Sequence, residues 1–158
     1  MMVIAALEQS KVLTGPIFLM FDGEAELSDE FLMAMREYAP GVVCVLDWFH
    51  LKKKTYESLS MALRCSLDEK KTIRSIVLEA LFMGNVEWAI AFLSGLRDVD
   101  VNKGRMADYY KYLKRKLRYI INYRLRSSLV VGSRSSLYLR IRNTPITVIL
   151  KIDATSKV

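Results

Sequence analysis

Two short apolar runs near the start of the chain are each closed by an aspartate: Ile17-Phe18-Leu19-Met20-Phe21 before Asp22-Gly23, and Val42-Val43-Cys44-Val45-Leu46 before Asp47. A continuous apolar run of this length is the pattern of a strand covered on both faces. In open α/β sheets the carboxyl ends of such strands are where ligands meet polar side chains. Between the runs, Leu27, Phe31, Leu32 and Met35 share one face of a helix expected over 27–38. Ser28 is its N-cap, Asp29 and Glu30 lie in its first turn, and Pro40-Gly41 ends it. Strand, helix, strand at this spacing predicts a right-handed βαβ unit with parallel strands, which brings Asp22 and Asp47 to the same edge of the sheet.

After Asp47 the period changes to that of helices. Leu51, Leu59, Ala62 and Leu63 mark one helix over 48–65; Ile73, Ile76, Val77, Ala80 and Leu81 a second over 68–83; Ala89, Ile90 and Leu93 a third over 86–96. Gly84-Asn85 makes the break between the second and third. A fourth helix over 105–126 places Tyr109, Leu113, Leu117, Ile120 and Ile121 on one face, with Lys111, Lys114, Arg115 and Arg118 largely off it. From Leu137 to Arg142 the pattern alternates, Asn143-Thr144-Pro145 turns, and Ile146–Ile152 is a β-branched run, so a hairpin is expected. A two-stranded parallel sheet leaves edges unpaired, and residues 137–152 are the segment available to pair with one. The expected organisation is an α/β core over 1–66, a helical insertion over 67–126 and a basic tail over 127–158.

Length and composition set the class. The chain has 158 residues, 52% of them hydrophobic, which is about one domain with a real core. No stretch approaches the roughly 18 to 20 apolar residues of a membrane span, so no membrane partner is expected. Residues 1–7 are too short for a secretory signal, and Cys44 and Cys65 alone make no disulfide framework, so the expected location is cytoplasmic. Charge is unevenly placed: residues 1–100 carry 10 Lys/Arg against 15 Asp/Glu, net −5, and residues 101–158 carry 14 against 2, net +12. Such asymmetry is the footprint of contact with a polyanion; a membrane surface would attract the same charge, so the signal names a class of partner only.

Two constellations carry candidate chemistry. Asp47 and the single histidine, His50, lie three residues apart at the junction of strand and helix, where the carboxylate can cap the first turn and the imidazole falls one turn further on the same face. They form either a cooperating pair or an ordinary N-cap beside a structural histidine. Zinc is excluded for the pair alone, because it needs three or four ligands. The second constellation is basic: Lys52, Lys53, Lys54, Lys111, Lys114, Arg115, Arg118, Arg124 and Arg126 are candidates to grip phosphate, with tyrosines packing or stacking on bases. The competing reading is a solvated basic face over a Tyr-rich core.

The order Phe21-Asp22-Gly23, a helix, Val45-Leu46-Asp47-Trp48-Phe49-His50-Leu51-Lys52-Lys53-Lys54, then Leu81-Phe82-Met83-Gly84-Asn85-Val86-Glu87-Trp88-Ala89 and Leu117-Arg118-Tyr119-Ile120-Ile121-Asn122-Tyr123-Arg124 resembles the DDE transposases of prokaryotic insertion sequences, in particular those with an Asp-x-x-His signature. The likeness covers roughly residues 17–133. It implies a partial RNase H-like fold, DNA as partner, and a reaction in which three acids hold two divalent cations, Mg²⁺ or Mn²⁺, for in-line attack on a phosphodiester. By this resemblance Asp22 matches the second acid and a metal ligand, and Asp47 and His50 match the signature pair in a supporting role. The sequence departs from the family where the other acids belong: Glu8 is the only acid before Asp22, and no glutamate follows Glu87. A chain with one acid of three is expected to bind no such cation tightly and to be inactive alone, as the middle of a decayed, split or frameshifted transposase. Its partners would then be DNA and either the remaining transposase segments or a second copy. The alternative is a non-enzymatic nucleic-acid-binding protein that uses the basic C-terminal third.

Overall fold

The computed structural model describes residues 17–21, 23, 30, 32–33, 37, 42–125 and 148–152. They fall into two units, one holding the strands and the other running from Trp48.

The first unit is a three-stranded sheet. Strands β1 (Ile17–Phe21), β2 (Val42–Leu46) and β3 (Val148–Ile152) lie in the order β2-β1-β3, with β1 in the centre. β1 and β2 are parallel, in register from Ile17 against Val42 to Phe21 against Leu46. The expected parallel pair is therefore present. Of the connecting helix, helical backbone is described at Glu30, Leu32, Met33 and Glu37, and the rest of 27–38 lies outside the described residues. Successive residues of a strand face opposite sides of a sheet, and Leu19, Met20 and Phe21 are all buried, so β1 is covered on both faces. β2 is buried only toward its carboxyl end: Val45 and Leu46 are fully inside, whereas Val43 is exposed and Cys44 half-buried.

β3 runs antiparallel to β1, from Ile17 against Ile152 to Phe21 against Val148. The β-branched run near the carboxyl end thus occupies the second edge of β1, and both edges of the central strand are paired. The other arm of the expected hairpin, 137–142, lies outside the described residues.

Among its described residues the second unit contains four α-helices: α1 (Trp48–Ala62), α2 (Leu67–Phe82), α3 (Val86–Ser94) and α4 (Lys103–Lys116). α1 buries Trp48, Leu51, Thr55, Ser58, Leu59 and Ala62, one stripe at helical spacing. It ends at Ala62 because Leu63 leaves the helix to bridge Val101, while the Arg64 amide donates to the Asp100 carbonyl and the Asn102 amide to the Ala62 carbonyl, each at 2.8 Å. This tie starts α4 where α1 stops, and the two helices run antiparallel. Ser66 opens α2 with a capping box: the Glu69 amide donates to Ser66 Oγ at 3.3 Å and the Ser66 amide to Glu69 Oε2 at 2.9 Å. Gly84, at φ 78°, reverses the chain between α2 and α3, and Asn102 caps α4 by accepting from the Arg105 amide at 3.1 Å.

The expected fourth helix to Arg126 is corrected. α4 stops at Lys116, a 3₁₀ turn covers Leu117–Tyr119, and Ile120 is extended at ψ 112°. The cause is tertiary: Tyr123 is fully buried, its amide donating to the Phe82 carbonyl at 2.9 Å and its ring packing 5.2 Å from Trp48 and 6.2 Å from Phe82. A continued helix would carry Tyr123 away from that seat. Leu117, placed by periodicity on the inner face, is accordingly exposed, and Lys116 is buried in its stead.

Candidate nucleic-acid interface

Asp47 stands at the end of β2 and is 93% removed from solvent, with a relative exposure of 7%. Its amide donates to the Phe21 carbonyl at 2.8 Å, which carries the parallel ladder one step past the last paired residues. Asp22 follows Phe21 in the sequence and lies outside the described residues, as does Arg126. His50 is half-buried in the first turn of α1. Among the described residues no three His, Cys, Asp or Glu side chains converge as a two-cation site would require.

The basic candidates separate into distinct surroundings. Lys53 pairs with Glu57 across one turn of α1 at 4.0 Å, both ends well exposed. Lys52 lines a groove between α1 and α2, of about 310 Å³, with Lys71, Arg74 and Glu79. Two of the cations there are engaged: Lys71 lies 3.7 Å from Asp68, and Arg74 sits 4.9 Å over the Tyr56 ring while its Nε donates to the Lys70 carbonyl at 3.1 Å. Arg118 lies over Tyr119 and Arg124 beside the Met83 sulfur, both near the turn that follows α4. Lys114 is exposed.

Lys54, Lys111 and Arg115 come together. They line a groove of about 370 Å³ between α1 and α4, with Ser58 and Met61 from α1 and Arg105, Asp108, Tyr109 and Tyr112 from α4. Four cations face one carboxylate there. Lys54 Nζ lies 5.8 Å from the Tyr112 ring centroid, within cation–π range, and Tyr109 and Tyr112 stack at 6.4 Å. Burial pushes the Tyr112 phenol up to about 12, against a smaller opposing pull from Arg115, so it stays a neutral hydroxyl at physiological pH. Tyr109 is raised further, chiefly by burial.

Why the chain builds this groove is visible in α4. From Lys103 to Lys116 it carries six Lys/Arg against Asp108. Met106, Tyr109 and Leu113 are buried at i, i+3 and i+7, so Arg105, Lys111 and Arg115 are forced to the flank beside α1 or toward solvent. Sequence reasoning found Lys54, Lys111 and Arg115 but missed Arg105, which the expected helix start treated as a terminal residue. Its spacing of three from Asp108 and six from Lys111 was the available signal.

No family model matches this sequence, and neither a curated protein nor a solved structure matches it.

Proposed function

We propose that the chain is a segment of a DDE-type transposase of RNase H-like fold that binds DNA and carries out no strand transfer by itself. The observation that carries the reading is the level ending of two adjacent parallel strands, each followed in sequence by an aspartate, with Asp47 held buried at its strand end by the bond to Phe21. A catalytic acid of a metal-dependent phosphoryl transferase follows such a strand, the role the resemblance gives to Asp22, and the Asp47-Trp48-Phe49-His50 element adds its signature pair in support. Two hard cations need about six oxygen ligands each, with several carboxylates to supply charge, and Asp22, one acid of the family's three, does not meet that need. The missing acids would come from other segments of the transposase.

The groove between α1 and α4 favours a second reading, a nucleic-acid-binding protein without catalysis, since it needs neither metal nor further acids. Incubating the purified chain with labelled DNA and Mg²⁺ or Mn²⁺ separates them from an active enzyme: binding without cleavage is expected. Metal-dependent cleavage that Asp22→Ala abolishes would overturn the proposal. Adding the products of the reading frames that flank this one decides between the two readings. Restored cleavage supports the transposase segment, and flanks that encode no acid-bearing strand or helix leave the binding protein.

A further inference from the structure

We infer that the groove between α1 and α4 is the seat of a nucleic-acid backbone, whose phosphodiester anions are held by Lys54, Arg105, Lys111 and Arg115. The inference rests on the reading that this protein binds nucleic acid, and it names where and through which side chains.

Three observations distinguish this surface from a merely solvated basic face. First, the described salt bridges of this unit join Lys53 to Glu57, Arg64 to Asp100 and Lys71 to Asp68, and none takes up Lys54, Arg105 or Lys111. Their charge is directed at whatever enters the groove. Second, the exposed cations share the groove with the buried Tyr109 ring and the half-buried Tyr112 ring. A low-dielectric wall beside like charges concentrates the field and raises the local concentration of an anion. Third, the two helices that form the groove are tied to each other. Tyr109 is bonded to Thr55 on α1 at 2.8 Å, and the bridge between Leu63 and Val101 locks the helix ends, so the two walls are already brought together before binding.

The shape fits a strand of phosphates better than one small anion. Arg105 and Arg115 are ten residues apart on α4, on the order of 15 Å at 1.5 Å per residue, with Lys111 between them. A row of that length meets more than one phosphate. Asp108 lies within the row and repels an anion there, which leaves two cationic stations on α4, Arg105 on one side and Lys111 with Arg115 on the other. The Ser58 hydroxyl on the α1 wall and the neutral Tyr112 phenol on the α4 wall are further donors lining the groove.

The test is fluorescence anisotropy of a labelled oligonucleotide, single-stranded and as its duplex, titrated with the full chain between 50 and 200 mM salt. Arg105→Gln and Lys111→Gln are each expected to weaken binding about two- to fivefold. Each should also reduce the slope of log affinity against log salt by about 0.7 on the single strand or 0.9 on the duplex. Lys54→Gln repeats the measurement from the opposite wall, so the result does not depend on the fold of α4 alone. Arg97→Gln and Lys103→Gln, exposed cations outside the groove, should leave the slope unchanged. Equal losses in the controls, or groove variants without effect on a chain that still binds, would overturn the groove while leaving nucleic-acid binding intact. If the unaltered chain binds neither form at low salt, the inference falls together with the reading beneath it.

Discussion

The Tyr109 hydroxyl donates to Thr55 Oγ1 at 2.8 Å, and the Thr55 hydroxyl in turn donates to the Leu51 carbonyl at 2.8 Å, a relay buried between two antiparallel helices. Both side chains are almost wholly inaccessible to water, so the partner that loses its bond cannot recover it from solvent. Tyr109→Phe removes the donor and is expected to cost about 1 kcal/mol of folding stability. Thr55→Val leaves the phenol buried with no acceptor and is expected to cost more, about 1 to 3 kcal/mol. Denaturant unfolding of the two variants checks the order, and a smaller loss for Thr55→Val would mean that the phenol finds another acceptor.

Acid should loosen the start of α2. Glu69 is held below its ordinary carboxyl range, first by the bond from the Ser66 hydroxyl at 2.6 Å and then by the Ser66 amide. A carboxyl depressed in the folded state contributes stability above its unfolded value of 4.5, and that contribution is lost as pH falls through the lower folded value. Stability measured from pH 6 downward should therefore decline less steeply in Glu69→Gln than in the parent chain. Ser66→Ala, which removes the N-cap itself, is expected to lower stability by about 1 kcal/mol at neutral pH.

Alkali acts through the groove. The Tyr112 phenol is raised from 10.0 to about 12, so between those values the unfolded chain loses its proton while the folded chain keeps it. Stability should fall as pH rises from about 10 to 12. Tyr112→Phe removes the share of this dependence that Tyr112 contributes, while the buried Tyr109, raised in the same direction, keeps its own; the difference between the two chains in denaturation midpoint at pH 9 and pH 11 measures that share. An unchanged difference would mean that the phenol ionises as freely in the folded protein as in the unfolded one.

Gly84 admits no side chain. At φ 78° it holds a left-handed conformation, and a Cβ built there stands 3.0 Å from the Asn122 amide nitrogen and 3.1 Å from the Ile121 carbonyl carbon, both backbone atoms. Gly84→Ala is expected to cost at least the roughly 1 to 2 kcal/mol of the left-handed conformation, with the clash added. The segment from Ile120 to Tyr123 should loosen first, and amide hydrogen exchange at Tyr123, whose amide donates to Phe82, reads that locally.

Elements governed by local pattern were legible. The runs ending at Phe21 and Leu46 carried enough apolar length to specify strands, though β2 is buried only toward its carboxyl end, and the helix between them implied parallel pairing. The stripes of α1, α2 and α3 gave those helices to within three residues at each end, since a helix of that length buries one face whatever its neighbour. The basic residues on α4 were legible as a charge run but not as a groove, because periodicity reports which face a residue occupies and not which helix lies opposite.

By itself, then, the sequence determined the parallel pair, the helical block, the reversal at Gly84 and the concentration of positive charge after residue 100. Only the tertiary structure decided the rest. Whether α4 would continue past Lys116 depended on the seat that Trp48 and Phe82 offer Tyr123, two partners 41 and more residues away in the chain. Whether Val148–Ile152 would pair depended on the open edge of β1, more than 120 residues before it. Contacts between distant segments leave no period in either partner, and the energy they contribute exceeds the few tenths of a kcal/mol by which local propensity favours one conformation over another.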